Sequence, residues 1–207
     1  MPRQVDHAER RRRIADAVCE LADERGLEGV TLRDVAARAE VSMGAVQRCF
    51  RTKEEMLVFA LGHIGERIGA RVRARLVRSP AQSAGTALGH AATEVALLRE
   101  EHRAEARVWL AFVAQAAVSE ALAATVQANY AALQESFARL IEEACTDTDA
   151  AGAGADTGRA APLDPRREAR ALLALADGLT THVLIGHLTP REAEDVLHTH
   201  LARLLPQ

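Results

Sequence analysis

The chain has 207 residues and a formal net charge of −3; hydrophobic residues make up 48% of it and aromatic residues only 3%. Because it is rich in Ala, Leu, Arg and Glu, which favour helices, the composition predicts an all-α protein with a core of small and aliphatic side chains. The first residues are polar and arginine-rich and no apolar run is long enough to cross a membrane, so we expect a soluble, cytoplasmic protein without membrane contact.

The charge is unevenly distributed along the chain. Residues 1–80 contain 16 Lys and Arg against 12 Asp and Glu, whereas residues 81–207 contain 10 against 17. A basic N-terminal part on an acidic body is typical of a protein whose N-terminal part meets phosphate groups. Solvated surface charge also explains so small an imbalance.

Capping residues, prolines and glycines mark where helices begin and end. The marks are Gly26, Thr31-Leu32-Arg33-Asp34, the capping box Thr52-Lys53-Glu54-Glu55, Ser79-Pro80, Asp164-Pro165 and Thr189-Pro190. They predict nine helices, at 7–25, 32–39, 43–50, 53–78, 81–100, 103–116, 119–145, 165–187 and 190–205.

Residues 146–164 are mostly Ala, Gly, Asp and Thr without periodicity, which predicts a flexible loop. We expect two domains, residues 1–52 and residues 53–207, with the helix over 53–78 as the connector.

The most informative segment is 31–55, TLRDVAARAEVSMGAVQRCFRTKEE, which predicts two short helices joined by a tight turn and followed by the start of a third. Val41 plugs the turn and Ser42 caps the second helix. Apolar positions at helical spacing are buried: Ile14, Val18 and Leu21 on the first helix of the chain, then Val35, Ala36, Ala39, Val46 and Phe50. The second short helix then presents Met43, Gly44, Ala45, Gln47, Arg48 and Arg51, a cationic face that fits a major groove.

The run from Ala15 to Leu61 resembles the N-terminal domain of the TetR family of transcriptional regulators. The resemblance is carried, in order, by Thr31, Val41-Ser42-Met43-Gly44, Phe50 and Lys53-Glu54. It implies an N-terminal helix-turn-helix module that binds double-stranded DNA and a C-terminal helical domain for ligand binding and dimerisation. One departure is Gln47, where the family very often has Tyr; glutamine still donates to phosphate or reads adenine.

Nine residues are therefore candidates for DNA contact: Thr31, Arg33, Ser42, Met43, Gly44, Ala45, Gln47, Arg48 and Lys53. Gln47 and Arg48 are the best placed to read bases or phosphates. Met43 and Ala45 offer apolar contact to thymine methyl groups, and Gly44 lets the helix approach DNA closely.

The remaining candidates concern the phosphate backbone. Thr31 and Ser42 cap helices and leave backbone amides pointing at phosphate, although capping alone also explains them. Lys53 pins a phosphate at the start of its helix. Arg33 either contacts a phosphate or the minor groove or is simply solvated. The Arg10–Arg13 cluster either follows the DNA backbone or minor groove or belongs to a disordered end of the chain.

The body resembles the BetI-like subset of the same family, in the segments Arg107-Val108-Trp109-Leu110-Ala111-Phe112 and Ala176-Asp177-Gly178-Leu179. The resemblance implies a homodimer in which helices 8 and 9 form a four-helix bundle with their symmetry mates. The predicted interface residues are Leu172, Leu175, Leu179, Val183 and Gly186 on helix 8, with Val196, Leu197, Leu201 and Leu204 on helix 9. A plain intramolecular core is the alternative.

An effector pocket is predicted in the body from its aromatic and polar side chains. The candidates are Trp109, Phe112, Gln115, Tyr130, Phe137 and His182. Their clustering is informative because aromatic residues are so rare here, although helical aromatics more often fill a core than line a ligand site.

No metal or cofactor is predicted. His182 and His187 are five residues apart and His198 and His200 two apart, which does not place either pair on one helix face as a zinc pair requires. The three cysteines, Cys19, Cys49 and Cys145, follow no metal or disulfide motif.

The sequence thus predicts a regulator rather than an enzyme, since it contains no nucleophile elbow, phosphate-binding loop or metal constellation. The resemblance implies a homodimeric, one-component repressor that binds a near-palindromic operator and is released by an unknown small-molecule effector. A helical adaptor that uses the helix-turn-helix for protein contacts is the alternative from another class.

Overall fold

The structure is a computed structural model that describes residues 2–78, 83–151 and 163–205. In these ranges the chain forms helices joined by turns and no β-strand, which confirms the predicted all-α fold. The elements of the same ranges are α1 (Pro2–Arg25), α2 (Leu32–Arg38), α3 (Met43–Cys49), α4 (Lys53–Arg78), α5 (Ala84–Val95), a 3₁₀ turn (Glu100–His102), α6 (Arg103–Ala116), α7 (Glu120–Ala151), α8 (Pro165–Leu184) and α9 (Pro190–Leu204). None of these helices combines the length and apolarity that a membrane span requires.

Most helices follow their predicted bounds to within a residue or two, and the larger differences lie at particular ends. α1 begins at Pro2 rather than at residue 7. α7 continues to Ala151, so the start of the predicted loop over 146–164 is helical; its residues 152–162 lie outside the described residues. The predicted helix start at Ser79-Pro80 also lies outside them, and α5 begins instead behind the N-cap Ser83.

The end of α5 shows why an apolar run is ambiguous. The helix stops at Val95 rather than at residue 100, and Leu97 adopts a φ of +50°. Ala96, Leu97 and Leu98 are all at most 3% exposed. A short buried run of this kind is compatible with a helix or a turn, so periodicity does not decide between them.

α8 ends in a left-handed turn, three residues before its predicted end at residue 187. Gly186 has a φ of +75°, and its N–H donates to the Val183 carbonyl at 3.1 Å. The N–H of His187 donates to the His182 carbonyl at 2.9 Å, which completes a Schellman motif.

The complete capping box lies at the start of α9, whereas the one predicted at the start of α4 closes only in part. At the start of α9, Thr189 Oγ1 accepts from the Glu192 N–H at 3.2 Å, and Glu192 Oε2 accepts from the Thr189 N–H at 2.8 Å. These bonds from the Thr189 backbone and hydroxyl hold the pKa of Glu192 below its usual value. At the start of α4, Thr52 caps the Glu55 N–H, but the Glu55 carboxylate accepts from the N–H of Arg51 rather than from that of Thr52.

The chain divides into two compact units. The first comprises residues 1–67 and 101–129 and contains α1, α2, α3 and α6; the second comprises residues 68–100 and 130–207 and contains α5, α8 and α9. The predicted domains, residues 1–52 and 53–207, follow chain order instead, and that division stays a prediction.

In the first unit, α1 packs against α2, α3 and α6. Its predicted inward face is confirmed, because Ile14, Val18 and Leu21 are at most 1% exposed. α6 is bound to α1 by a bidentate ion pair in which Arg107 Nε and Nη2 donate to the Asp23 carboxylate at 2.5 and 3.0 Å. Fork-like pairs of this type fix the relative orientation of two helices better than a single contact does.

A second polar cluster of the first unit joins α1, α4 and α6. His63 Nε2 lies 2.9 Å from Asp16 Oδ1, while Arg67 lies 3.6 Å from Asp16 and 3.5 Å from Glu105. Burial raises the pKa of the neighbouring Cys19 thiol to about 12. Cys19 therefore packs as a neutral thiol at ordinary pH.

The second unit builds its core from α5, α8, α9 and the later part of α7. Six residues predicted to form the dimer interface lie in this core and are at most 9% exposed: Leu172, Leu179, Val183, Leu197, Leu201 and Leu204. Their own chain covers most of their surface, and their contribution to a dimer interface stays a prediction. The intramolecular core left open as the alternative accounts for them, while Leu175 is only half-buried.

The turn between α2 and α3 holds a non-glycine residue in the left-handed region. Glu40 has a φ of +53°, its N–H donates to the Ala37 carbonyl at 3.2 Å, and the N–H of Val41 donates to the Ala36 carbonyl at 3.0 Å. This is a Schellman motif with Glu40 at the position that glycine prefers.

We expect E40G to raise the free energy of unfolding by about 0.5–1 kcal/mol, because glycine relieves the left-handed strain but loses more chain entropy on folding. Urea unfolding followed by circular dichroism measures the change. E40Q is the matched control, since it removes the same charge but keeps the Cβ, and it should unfold like the wild type. Equal effects of E40G and E40Q would show that charge, rather than backbone strain, is responsible.

Candidate nucleic-acid interface

α3 is a seven-residue helix with one buried and one exposed face. Val46 and Phe50 point into the first unit and are at most 1% exposed, as predicted. On the other side, Met43 is 40% exposed, and Gln47 and Arg48 are also exposed. The predicted outward face is confirmed for these three residues, and their contact with DNA stays a prediction.

Ala45 does not belong to the outward face. It is only 7% exposed and packs on the inner side with Val46 and Cys49. The prediction that α3 presents Ala45 is therefore wrong. The signal was available in the sequence, because Ala45 and Cys49 are four residues apart and so share a helix face.

Hydroxyl caps fix the starts of α2 and α3. Thr31 Oγ1 accepts from the Asp34 N–H at 3.2 Å and donates to the Asp34 carboxylate at 2.7 Å. Ser42 Oγ accepts from the Ala45 N–H at 3.2 Å. Both capping roles are confirmed, and whether either helix start also meets phosphate stays a prediction.

The arginines of α2 and α3 fall into two groups. Arg33 and Arg48 make no hydrogen bond or ion pair with any described residue. Arg38, by contrast, donates to Glu20 at 3.0 Å and to Glu24 at 2.8 Å. The bond from Arg38 holds the pKa of Glu24 below its usual value. Only the first group has its charge open to a phosphate.

Gly44 lies beside Arg48 at the start of α3. A Cβ added at Gly44 would lie 3.4 Å from Arg48 Nη1, which is ordinary to tight contact. A side chain would therefore fit beside Arg48 within this chain, and the close approach of Gly44 to DNA stays a prediction.

Lys53 has an intramolecular role that the sequence does not reveal. Its ammonium lies 3.3 Å from the Leu27 carbonyl and 3.4 Å from the Glu28 carbonyl, so it ties the start of α4 to the connection between α1 and α2. The residues are 25 and 26 positions apart in sequence, a separation at which no local pattern operates. The contact of Lys53 with a DNA phosphate stays a prediction, in addition to the observed contacts with the two carbonyls.

The basic segment Arg10–Arg13 is also partly engaged within the first unit. Arg13 Nη2 donates to the Ala39 carbonyl at the end of α2, at 2.7 Å. The Arg11 guanidinium lies over the rings of Phe50 and Phe59. This segment therefore belongs to an ordered helix, α1, rather than to a disordered end.

The predicted effector residues of the first unit are Trp109, Phe112 and Gln115. Trp109 is 6% exposed and Phe112 is fully buried, so both fill the unit's core in this structure. Gln115 lines an open groove of about 370 Å³ together with Lys53 and the buried Leu57. A role in effector binding stays a prediction for all three.

The predicted effector residues of the second unit differ among themselves. Phe137 is 2% exposed in the core, and the Tyr130 hydroxyl donates to Asp177. His182 is exposed on α8, and its role in effector binding stays a prediction. Its ring lies against that of His187 with centroids 4.9 Å apart, because the turn at Gly186 brings together residues whose spacing would separate them on a helix.

The all-α fold and the short, exposed, cationic helix held behind a capped turn define a helix-turn-helix DNA-binding protein. Residues 14–58 match the family of bacterial regulatory proteins called tetR, and residues 84–206 match the C-terminal domain of BetI-type transcriptional repressors. The chain belongs to the TetR family of transcriptional regulators and is not an enzyme.

Individual relatives agree with this. The regulator PksA of Bacillus subtilis is 31% identical over 188 residues, covering 89% of this chain and 83% of PksA. The repressor KstR of Mycolicibacterium smegmatis is 48% identical, but over 63 residues that cover 30% of this chain and 31% of KstR. A solved TetR-family regulator from Rhodococcus superposes with a TM-score of 0.81 at 25% identity, covering 96% of this chain and 99% of its own.

The burial of Ala45 and the exposure of Met43 give different expectations for the same substitution. We expect A45Q to lower the free energy of unfolding by about 1–3 kcal/mol, because the longer side chain has to be packed into a filled space. M43Q should change it by less than about 0.5 kcal/mol, as surface substitutions do. Urea unfolding measures both, and an A45Q protein as stable as M43Q would contradict the inward orientation of Ala45.

Proposed function

We propose that the protein is a homodimeric repressor that binds a near-palindromic operator through α3 and is released by a small-molecule effector. The observation that carries the proposal is the outer face of α3, where Gln47 and Arg48 are exposed and Arg48 has no ionic partner among the described residues. A single α-helix fits the major groove, and Gln and Arg are the side chains that read adenine and guanine there. An operator on the chromosome places the protein in the cytoplasm.

The proposed phosphate contacts surround this face. Thr31 and Ser42 stand at the starts of α2 and α3, where the helix dipole favours a negative charge. Arg33 adds an exposed cation in the first turn of α2. Lys53 contributes at the start of α4 by shifting from carbonyls that it holds only at 3.3 and 3.4 Å.

The proposed dimer uses the outer face of α8 and α9 rather than the leucines of the core. On α8, Ala174 and Gly178 are exposed, and on α9, Val196 is 44% exposed. A groove of about 530 Å³ runs along this face between Leu175 and Val196. Small residues let two helices approach closely, and a two-fold axis would place this surface against its own copy.

The proposed effector acts through α6. This helix lies in the region that matches the BetI-type C-terminal domain, and Arg107 binds it to Asp23 of α1 in the first unit. A ligand that moves α6 therefore changes the support of the helix-turn-helix directly. Allostery of this kind needs two arrangements of one linked element.

We expect the double variant Q47A/R48A to lose at least about 30-fold in affinity for the operator, since each base contact is worth about 1–3 kcal/mol. The probe is a DNA duplex that the wild-type protein enriches from a random library, and fluorescence anisotropy measures its binding. The melting temperature should be unchanged because both side chains are exposed. Q127A/R139A, which removes the same groups from the exposed surface of α7, should bind like the wild type; full affinity of Q47A/R48A would instead favour the adaptor alternative.

We expect V196E to convert the dimer to monomers, because two copies of a new carboxylate would meet across a two-fold contact that already contains acidic groups. Sedimentation velocity measures the mass, and operator affinity should fall at the same time. V118E is the control, since Val118 is 81% exposed on the first unit. A dimeric V196E protein would rule out this face as the interface.

A further inference from the structure

Arg11 of α1 occupies an unusual position between two aromatic rings. The carbon at the centre of its guanidinium lies 4.7 Å from the centroid of the Phe50 ring and 4.3 Å from that of the Phe59 ring. The two ring centroids are 5.4 Å apart, with a 50° angle between the ring planes. Both distances are within the range in which a cation is attracted to the face of a ring.

The surroundings of Arg11 leave stacking as its main interaction. Arg11 has no carboxylate partner among the described residues, and its Nε is buried without a hydrogen-bond acceptor there. Arg11 is half-buried, whereas the neighbouring Arg12, on another side of α1, is exposed. The planar guanidinium suits a site between rings, whereas an ammonium group does not stack in this way.

Phe50 connects this contact to the recognition helix. It directly follows the last residue of α3, its N–H donates to the Val46 carbonyl at 2.9 Å, and its side chain is 1% exposed. Phe59 belongs to α4. The Arg11 side chain therefore joins α1, the end of α3 and α4 at one point, on the inner side of the helix that carries Gln47 and Arg48.

We propose that Arg11 is a positioning residue for operator recognition: it sets the orientation of α3 through Phe50 and does not contact DNA phosphate itself. This inference rests on the proposed operator binding through α3. It assigns to an inward-facing arginine a role in the geometry of the reading surface, where the basic sequence around it suggests only contact with the DNA backbone.

The first test compares R11K and R11M on the operator duplex enriched by the wild-type protein, over a range of salt concentrations. We expect both variants to lose affinity about 5- to 30-fold, R11M more than R11K, because only arginine stacks between both rings. The slope of log affinity against log salt should stay the same, since no phosphate contact is lost. R139M, on the exposed surface of α7, controls for the loss of one positive charge.

A direct phosphate contact gives the opposite result. R11K would then bind like the wild type, and R11M would lower the salt slope by about 0.9, the value for one phosphate. Affinity for a random-sequence duplex also separates the two roles: poor positioning lowers operator affinity and leaves random-sequence affinity unchanged. An R11M protein that melts at a lower temperature but binds the operator normally when folded would overturn the proposal, because Arg11 would then be merely structural.

The second test is a double-mutant cycle of R11M and F59L, measured by operator affinity and by urea unfolding. If Arg11 acts through the rings, the double variant should bind about as weakly as the weaker single variant; additive losses would contradict the contact. If the wild-type protein enriches no duplex at all, the proposed function fails. If the wild-type protein does select a duplex and R11M binds that duplex equally well, the proposed function stands and only the positioning role of Arg11 is contradicted.

Discussion

The packing of Phe50 behind α3 is the contact on which the proposed DNA-binding surface depends. α3 has only seven residues, and isolated helices shorter than about 12–15 residues are marginal in water. It is therefore held by its buried side, where Val46 and Phe50 are at most 1% exposed, and by the Ser42 cap at its start. Whatever changes the support behind Phe50 also changes the direction in which Gln47 and Arg48 point.

The basic side chains of the N-terminal region either bind groups of their own unit or remain open to solvent, and the number of Lys and Arg residues does not distinguish the two. Arg13 and Arg38 bind groups of the same unit, a carbonyl in one case and two carboxylates in the other. Arg33 and Arg48 are exposed without such partners among the described residues. The positive charge open to phosphate is therefore smaller than the basic excess suggests, and part of it, Arg33 and Arg48, lies on α2 and on the proposed reading face of α3.

Local signals in the sequence predicted the fold well, because their physics acts over three or four residues. Thr31, Ser42 and Thr189 cap the helices that they were expected to cap, and Gly26, with a φ of +72°, ends α1. The same reasoning places the inner and outer sides of α3, with Ala45 as the exception, because Val46 and Phe50 defined its buried face too narrowly.

Contacts between residues far apart in the sequence could not be predicted, because local signals extend over only three or four residues. Nothing near Lys53 in the sequence indicates that it holds the carbonyls of Leu27 and Glu28, or that Arg11 stacks on Phe50 and Phe59. Leucines at helical spacing on α8 and α9 show that a face is buried but not whether the same chain or a second copy buries it. The structure shows that the inward leucines pack in the core of their own chain, and the dimer interface stays a prediction.

The outer side of α8 supplies the strongest argument that the second unit has a further partner. From Ala171 to Ile185 the helix contains one charged residue, Asp177, and the Tyr130 hydroxyl already donates to its carboxylate. In a chain of which 27% of the residues are charged, a solvated helix face would carry more charge than this. Since the core already takes the inward leucines, the remaining small and apolar surface is the part of α8 left to be covered. In the proposed homodimer, a second copy of the same helix would cover this surface without leaving a charge unpaired, and this favours a two-fold contact at this face over exposure to water.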